Sequence, residues 1–256
     1  FKGAANLDEL HRRLRCGVMI RRLKADVLHQ LPPKFRRVLP VELSNRDEYE
    51  QANSNFATWL KENYRGKATR SLRAAAVTKI GYLLRLTGRL KCKAVVRWAN
   101  RFLRETDEKL ILYAVHRKMI AALARRVRAK HVIVDGSVTG RMRKAAVDQF
   151  QGDANTRLLI GNLQAGGVGL TLTASSTVGF AELYWRPADH VQAEDRIHRI
   201  GQENDCWINY LVAGGTIEET LCRVIQEKQQ VLNSVLDGRP VEDLDVWDQL
   251  IKETLK

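Results

Sequence analysis

Lys109-Leu-Ile-Leu-Tyr-Ala114, His131-Val-Ile-Val-Asp135, Thr156-Arg-Leu-Leu-Ile-Gly161, Thr177-Val-Gly-Phe-Ala-Glu182 and Trp207-Ile-Asn-Tyr-Leu-Val212 are short apolar runs in the second half of the chain. Helical patterns separate most of them, at Lys118–Ala129, Thr139–Phe150 and Ala188–Ile200. Apolar strands that alternate with helices predict a parallel sheet covered on both faces, the doubly wound kind of α/β fold. Ligands of such sheets bind beyond the carboxyl ends of the strands, so the chemistry is expected there.

On the amino-terminal side the period changes. Residues Ser44 to Leu103 read as helical, with Ser44 as N-cap and Asp47 and Glu48 suited to the positive end of the helix dipole. Gly66 and Gly88 are expected to break this stretch, and Val77, Ile80, Leu83 and Leu84 form a core stripe. Before it, Leu7 to His29 reads as one basic helix stopped by Leu31-Pro-Pro33, because proline lacks the amide donor and restrains its predecessor. Val38-Leu-Pro-Val-Glu-Leu43 reads as a short strand that Pro40 confines to a sheet edge. After the sheet, Thr216–Leu236 is a long helix ended by Gly238, with Thr216 and Glu219 spaced as a capping box. The expected divisions are a lead-in with its edge strand over 1–43 and a helical unit over 44–104. The α/β domain follows over 105–215, then a C-terminal helix and tail over 216–256.

The 256 residues are 45% hydrophobic, enough for a packed core and too much for a disordered tail. The net charge of +14 is unevenly spread: residues 1–130 carry 31 basic and 11 acidic side chains, residues 131–256 carry 12 and 18. That asymmetry points to a polyanion-facing half; Lys/Arg-rich solvated helix faces are the bland alternative. The longest apolar run, Leu110–Val115, is far short of the ~18 residues that span a bilayer. The chain opens on Phe1 with no signal-peptide core and is expected to be a piece of something longer. Cys16, Cys92, Cys206 and Cys222 are far apart, which suggests buried thiols in a reducing compartment, with no disulfide frame and no metal site.

The most specific string is Gln192-Ala-Glu-Asp-Arg196-Ile-His-Arg199-Ile-Gly-Gln202. On a helix, Gln192, Arg196 and Arg199 fall within roughly 60° of one another. Two guanidinium forks and an amide on one face suit planar oxyanions such as phosphate. The competing reading is a pair of surface arginines bridged to Glu194 or Asp195. Gln164-Ala-Gly-Gly-Val-Gly-Leu-Thr-Leu172 follows a strand and can bring backbone amides near phosphates; alone it could be a tight turn. Asp135-Gly-Ser137 ends another strand and can offer a hydroxyl and amides to a sugar-phosphate backbone, or be a plain Asp-Gly turn. No G-x-x-x-x-G-K-[ST] phosphate loop is present, and no D-E-x-[DH] string follows a strand, so the nucleotide cradle and metal ligands are expected outside this chain.

Taken in order, Met19–Val27, Leu31–Lys34, Leu112–Arg117, Val134–Ser137, Gly166–Leu170, Phe180–Trp185 and Gln192–Gln202 resemble the second motor lobe of Swi/Snf-type DNA translocases. These are superfamily-two helicase-like ATPases. The Phe-Ala-Glu-Leu-Tyr-Trp and Ile-His-Arg-Ile-Gly-Gln strings are most similar to the fork-remodelling, strand-annealing branch. The resemblance runs from about residue 7 to 236 and departs at Leu163, Thr171 and Ser176, where many members carry Thr, Asn and Asp.

The resemblance implies a RecA-like lobe without its own phosphate loop, bearing a basic helical protrusion over 44–104. ATP would bind between this lobe and an N-terminal RecA-like lobe that holds the Mg2+ ligands. Arg196 and Arg199 then correspond to arginine fingers, and Gln192, Gly169 and Thr171 to nucleotide contacts. His116, Arg117, Gly136, Ser137, Gly166 and Gly167 correspond to contacts with DNA. The expected whole is a DNA-dependent ATPase that moves on duplex or branched DNA, intracellular and DNA-associated, with no membrane partner and no implied oligomer. The fragment alone is expected to be inactive. The other readings are a non-catalytic nucleic-acid-binding module and an RNA helicase lobe.

Overall fold

The computed structural model describes residues 6–63, 70–164 and 169–237. The strands are β1 (Lys34–Pro40), β2 (Leu110–Ala114), β3 (His131–Val134), β4 (Leu158–Asn162), β5 (Thr177–Phe180) and β6 (Cys206–Val212). They form one parallel sheet in the order β1-β6-β5-β2-β4-β3. The helices are α1 (Leu7–Gly17), α2 (Lys24–Val27), α3 (Arg46–Asn63), α4 (Arg70–Glu105), α5 (Arg117–Arg126), α6 (Gly140–Gly152), α7 (Pro187–Glu194) and α8 (Ile217–Asp237).

Strand periodicity explains the two layers. Leu110, Leu112 and Ala114 of β2, with Leu158 and Ile160 of β4, pack on Val95, Ala99 and Leu103 of α4 and Met119 and Leu123 of α5. The alternate residues Ile111, Tyr113 and Leu159 face Val147 and Phe150 of α6, Ala193 of α7 and Leu221 of α8. Every residue of β2 is buried, which is why its sequence carries no polar alternation. Lys91 of α4 and Glu218 of α8 meet within this packing at 2.6 Å, both essentially inaccessible. Lys91 Nζ also donates to Leu211 O.

Several local expectations shift. The first helix stops at Gly17, not His29, because the Val18 and Met19 amides both close on Leu14 O and end the ladder well before the prolines. The edge strand runs from Lys34 to Pro40 instead of Val38 to Leu43; it is a sheet edge as expected, with Pro40 at its end opposite Val212. The cap of α3 is Asn45, whose Oδ1 accepts from Glu48 N at 3.2 Å, while Ser44 N is spent on Leu90 O. Gly88 does not break α4, which runs through it unbroken; Gly66 lies outside the described residues. Val77 is exposed, but Leu83 is buried as expected, on a stripe with Leu86 and Leu90 beneath Tyr49, and Leu84 packs against the core of the sheet. Cys16 is exposed, the other three thiols buried. At α8, Thr216 Oγ1 accepts from Glu218 N, and Glu219 Oε1 accepts from Gly215 N. That is a capping box displaced by one residue. Gly238 lies outside the described residues. Among those residues no helix is long and apolar enough to cross a membrane.

Candidate functional site

The sequence-derived residues fall into two groups. The first lines the carboxyl ends of β2 and β3. The turn from β2 into α5 is organised by Glu182, just beyond β5. Its Oε2 accepts from Val115 N and His116 N, both at 2.8 Å, and its Oε1 meets His116 Nδ1 at 2.9 Å. This fixes His116 and sets Arg117, exposed, at the start of α5. Asn162 Nδ2 donates to Val115 O at 2.8 Å, tying the end of β4 into the same ledge. Beyond β3, Asp135 Oδ1 accepts from Ser137 N and Ser137 Oγ, at 2.8 and 2.5 Å. These two bonds, helped by the Arg117 charge, hold the Asp135 carboxyl below its ordinary range. Nothing lies within 4 Å of a Cβ built on Gly136, so its backbone is open to a ligand.

The second group lies where α7 gives way to the path into β6. The helix ends at Glu194 and does not continue to Ile200. Arg196 N and Ile197 N close on carbonyls three residues back, and Arg196 O leaves the helical ladder to accept from Leu172 N at 2.9 Å. Gln192, exposed on α7, and the two arginines therefore do not share one continuous helical face. Arg199 Nη1 donates to Leu170 O and Thr171 Oγ1, at 3.2 and 3.3 Å, so Thr171 and Arg199 do come together. Gly169 has φ +54°, a left-handed turn that favours glycine. Gly166 and Gly167 lie outside the described residues. Gln202 Nε2 donates to Thr173 O, Ser175 O and Ile197 O, stitching the loop before β5 to this segment.

Arg196 is 9% exposed, and its Nε is buried with no hydrogen-bond partner among the described residues. An unpartnered buried donor on a charged group is costly unless something polar arrives to meet it. Tyr113 beneath it has a phenol pushed up by burial and drawn back by the Arg196 charge.

The competing reading, salt bridges to Glu194 or Asp195, is not what is seen. Glu194 accepts from Lys34 at 3.0 Å, Arg36 at 2.7 Å and Tyr210 Oη at 2.6 Å. Asp195 meets Lys24 at 2.9 Å and Lys34 at 3.6 Å. Burial alone would raise the Glu194 carboxyl, but Arg36 and then Lys34, with the Arg36 and Tyr210 hydrogen bonds, hold it far below the usual range. The sequence reading missed Lys34, Arg36 and Tyr210 at this site, and Glu182 at the other. Lys34 and Arg36 do show the i, i+2 spacing of one strand face. Among the described residues no three His, Cys, Asp or Glu side chains gather where they could hold a metal ion.

Residues 91–201 match the helicase conserved C-terminal domain family. The Homo sapiens DNA annealing helicase and endonuclease ZRANB3 is 38% identical over 268 residues, covering 97% of this chain and 24% of that protein. The Xenopus tropicalis SWI/SNF-related matrix-associated actin-dependent regulator of chromatin subfamily A-like protein 1 is 32% identical over 235 residues, covering 91% of this chain and 24% of its own length. The chain thus spans about a quarter of these curated relatives. The Sulfolobus solfataricus SWI2/SNF2 ATPase core in complex with dsDNA superposes with a TM-score of 0.62 over 96% of this chain and 55% of that one. At 16% identity that likeness is one of fold.

Proposed function

This chain belongs to the SWI/SNF-related helicases, as a helicase C-terminal domain of RecA-like fold, and on that premise we propose that it is the second motor lobe of an ATP-dependent DNA translocase. The observation that carries the reading furthest is Arg196: a buried guanidinium whose Nε lacks a partner and whose acidic neighbours are occupied elsewhere. A terminal phosphate oxyanion supplies the acceptor that such a group lacks.

In this reading ATP lies between this lobe and an N-terminal RecA-like lobe, which carries the ligands of its Mg2+. Arg196 and Arg199 act as fingers that stabilise charge on the transferring phosphoryl group, and Gln192, Gly169 and Thr171 contact the nucleotide. His116 and Arg117, with the backbone at Gly136, Ser137, Gly166 and Gly167, grip the sugar-phosphate backbone of duplex or branched DNA. The lead-in over 1–43 links the lobes, and 44–104 forms the helical protrusion, which shares α4 with the core. Residues 105–215 are the motor domain and 216–256 its C-terminal helix and tail. The whole protein works inside the cell on DNA, and this lobe alone hydrolyses nothing measurable.

The test is DNA-stimulated turnover of the full-length protein. Arg199→Ala and Arg196→Ala are expected to lower it by ~10³-fold or more, with DNA affinity and melting temperature little changed. Lys at either position should rescue poorly, because a point charge does not reproduce the planar fork. Near-normal turnover in Arg199→Ala would remove the finger assignment.

A further inference from the structure

Glu194 and Asp195 stand directly before Arg196 in sequence, and carboxylates so placed are natural partners for a guanidinium. Three cations from the lead-in intercept them. Lys34 and Arg36 project from one face of β1, and Tyr210 joins them from β6. Lys24 of α2 reaches Asp195 at 2.9 Å and also donates to His198 O at 3.0 Å. His198 Nε2 in turn donates to Pro32 O at 2.9 Å. The lead-in therefore touches the arginine-bearing segment on both sides of Arg196.

We propose that Lys24, Lys34 and Arg36 are positioning residues for Arg196 and Arg199: by taking up Glu194 and Asp195 they leave the two guanidiniums uncompensated and available to an incoming phosphate oxyanion. The proposal rests on the finger reading above and adds the reason that the fingers keep their charge. It also makes residues on β1 and α2, remote in sequence from the arginines, part of the turnover machinery without contact with nucleotide. Glu194 is buried and held by two half-buried cations and a buried phenol, so its partners also serve the fold. Lys24 and Asp195 are different: their side chains are 38% and 32% accessible, and their pairing can be altered with little effect on the core.

The experiment uses the full-length protein, with DNA-stimulated turnover measured across ATP concentrations. Lys24→Met removes the nearer of the two cations on Asp195 and leaves it with Lys34 at 3.6 Å, which lets the carboxylate compete for the arginines; it is expected to lower kcat about tenfold, the effect of an interaction of ordinary ion-pair size, while KM for ATP, DNA affinity and melting temperature stay near the parent. Lys24→Arg should retain turnover. Lys24→Met combined with Asp195→Asn should restore it to within about twofold of the parent, because the released competitor is gone.

Hydrogen exchange without nucleotide supplies an independent readout. The Leu172 amide, which donates to Arg196 O, should keep its protection in Lys24→Met. Loss of that protection, or a double variant as slow as the single one, would mean that Lys24 only holds the chain in place and would overturn the proposal. So would normal kcat in Lys24→Met. Arg199→Ala, run alongside, separates the two readings. If it is inactive while Lys24→Met is normal, only the positioning role fails. If it is fully active, the finger reading itself fails.

Discussion

Gly88 and Glu182 approach so closely that a Cβ at position 88 would overlap the carboxylate Oε1 and lie 3.2 Å from Cδ. The glycine in the middle of α4 is therefore room made for an acid that orders the His116 turn. Gly88→Ala should push Glu182 off Val115 N and His116 N. The cost is ~1–3 kcal/mol of overpacking, larger than the ~1 kcal/mol of helix propensity gained. Gly81→Ala on the same helix meets only Arg85 Nη1 at 3.5 Å and should be neutral or stabilising. Urea unfolding of both variants decides this, and equal stability of the two would refute the packing role.

Lys91 and Glu218 present a different kind of dependence. Both are buried, and Glu218 Oε2 also accepts from Ala213 N at 2.9 Å. Lys91→Met should cost ~3–5 kcal/mol, because it leaves a carboxylate inside the core without its cation. Adding Glu218→Gln should recover part of that loss. Calorimetry on the two variants would contradict this if the double change were simply additive.

His190 should make stability depend on mild acid. It is buried between Phe180 and Tyr210. Its Nδ1 donates to Arg186 O, and its Nε2 accepts from Tyr184 N, both at 3.3 Å, which requires the neutral ring. Burial lowers its pKa to about 4, against the opposing pull of Glu194 and Asp189. The unfolded chain binds this proton more readily, so the contribution is complete above about pH 6.5 and is lost as pH falls from there toward 4. It amounts to ~3 kcal/mol. The unfolding free energy of His190→Gln should be flatter across that window; a slope equal to the parent's would count against it.

DNA affinity of the chain should fall steeply with salt and depend little on sequence. Residues 1–130 carry a surplus of 20 positive charges, and each phosphate neutralised releases counterions. A titration at 50 and 200 mM salt with two unrelated duplexes tests both halves; constant affinity or a strong preference for one duplex would be incompatible with a backbone grip.

Strands β2, β4, β5 and β6 were legible in the sequence because burial on both faces leaves an apolar run that local composition records; β3, half-buried at the other sheet edge, was legible from its short β-branched run His131-Val-Ile-Val134. β1 was misplaced because Lys34-Phe-Arg-Arg37 looks like surface until Glu194 is seen against it. The end of α7 was illegible for a similar reason. Nothing in Asp195-Arg-Ile-His forbids helix; the bond from Leu172 N to Arg196 O, made by a distant loop, draws the chain away. The Thr171–Arg199 contact has the same origin. Gly88 was misread as a breaker because its reason is Glu182, which only the folded chain brings near.

The pairing of β1 with β6 sets an order of events during synthesis. β1 leaves the ribosome well before β6, yet among the described residues β6 is its sole neighbour in the sheet. Until β6 emerges, Lys34, Arg36 and Phe35 have no ladder to join and Glu194 has no cations. The strands between can assemble earlier, since each of them neighbours another from the interior of the chain. Closure of this edge is therefore a late, long-range step of the kind that slows folding. The arginine-bearing turn, whose acids wait on that edge, acquires its charge pattern only after the strands between have assembled.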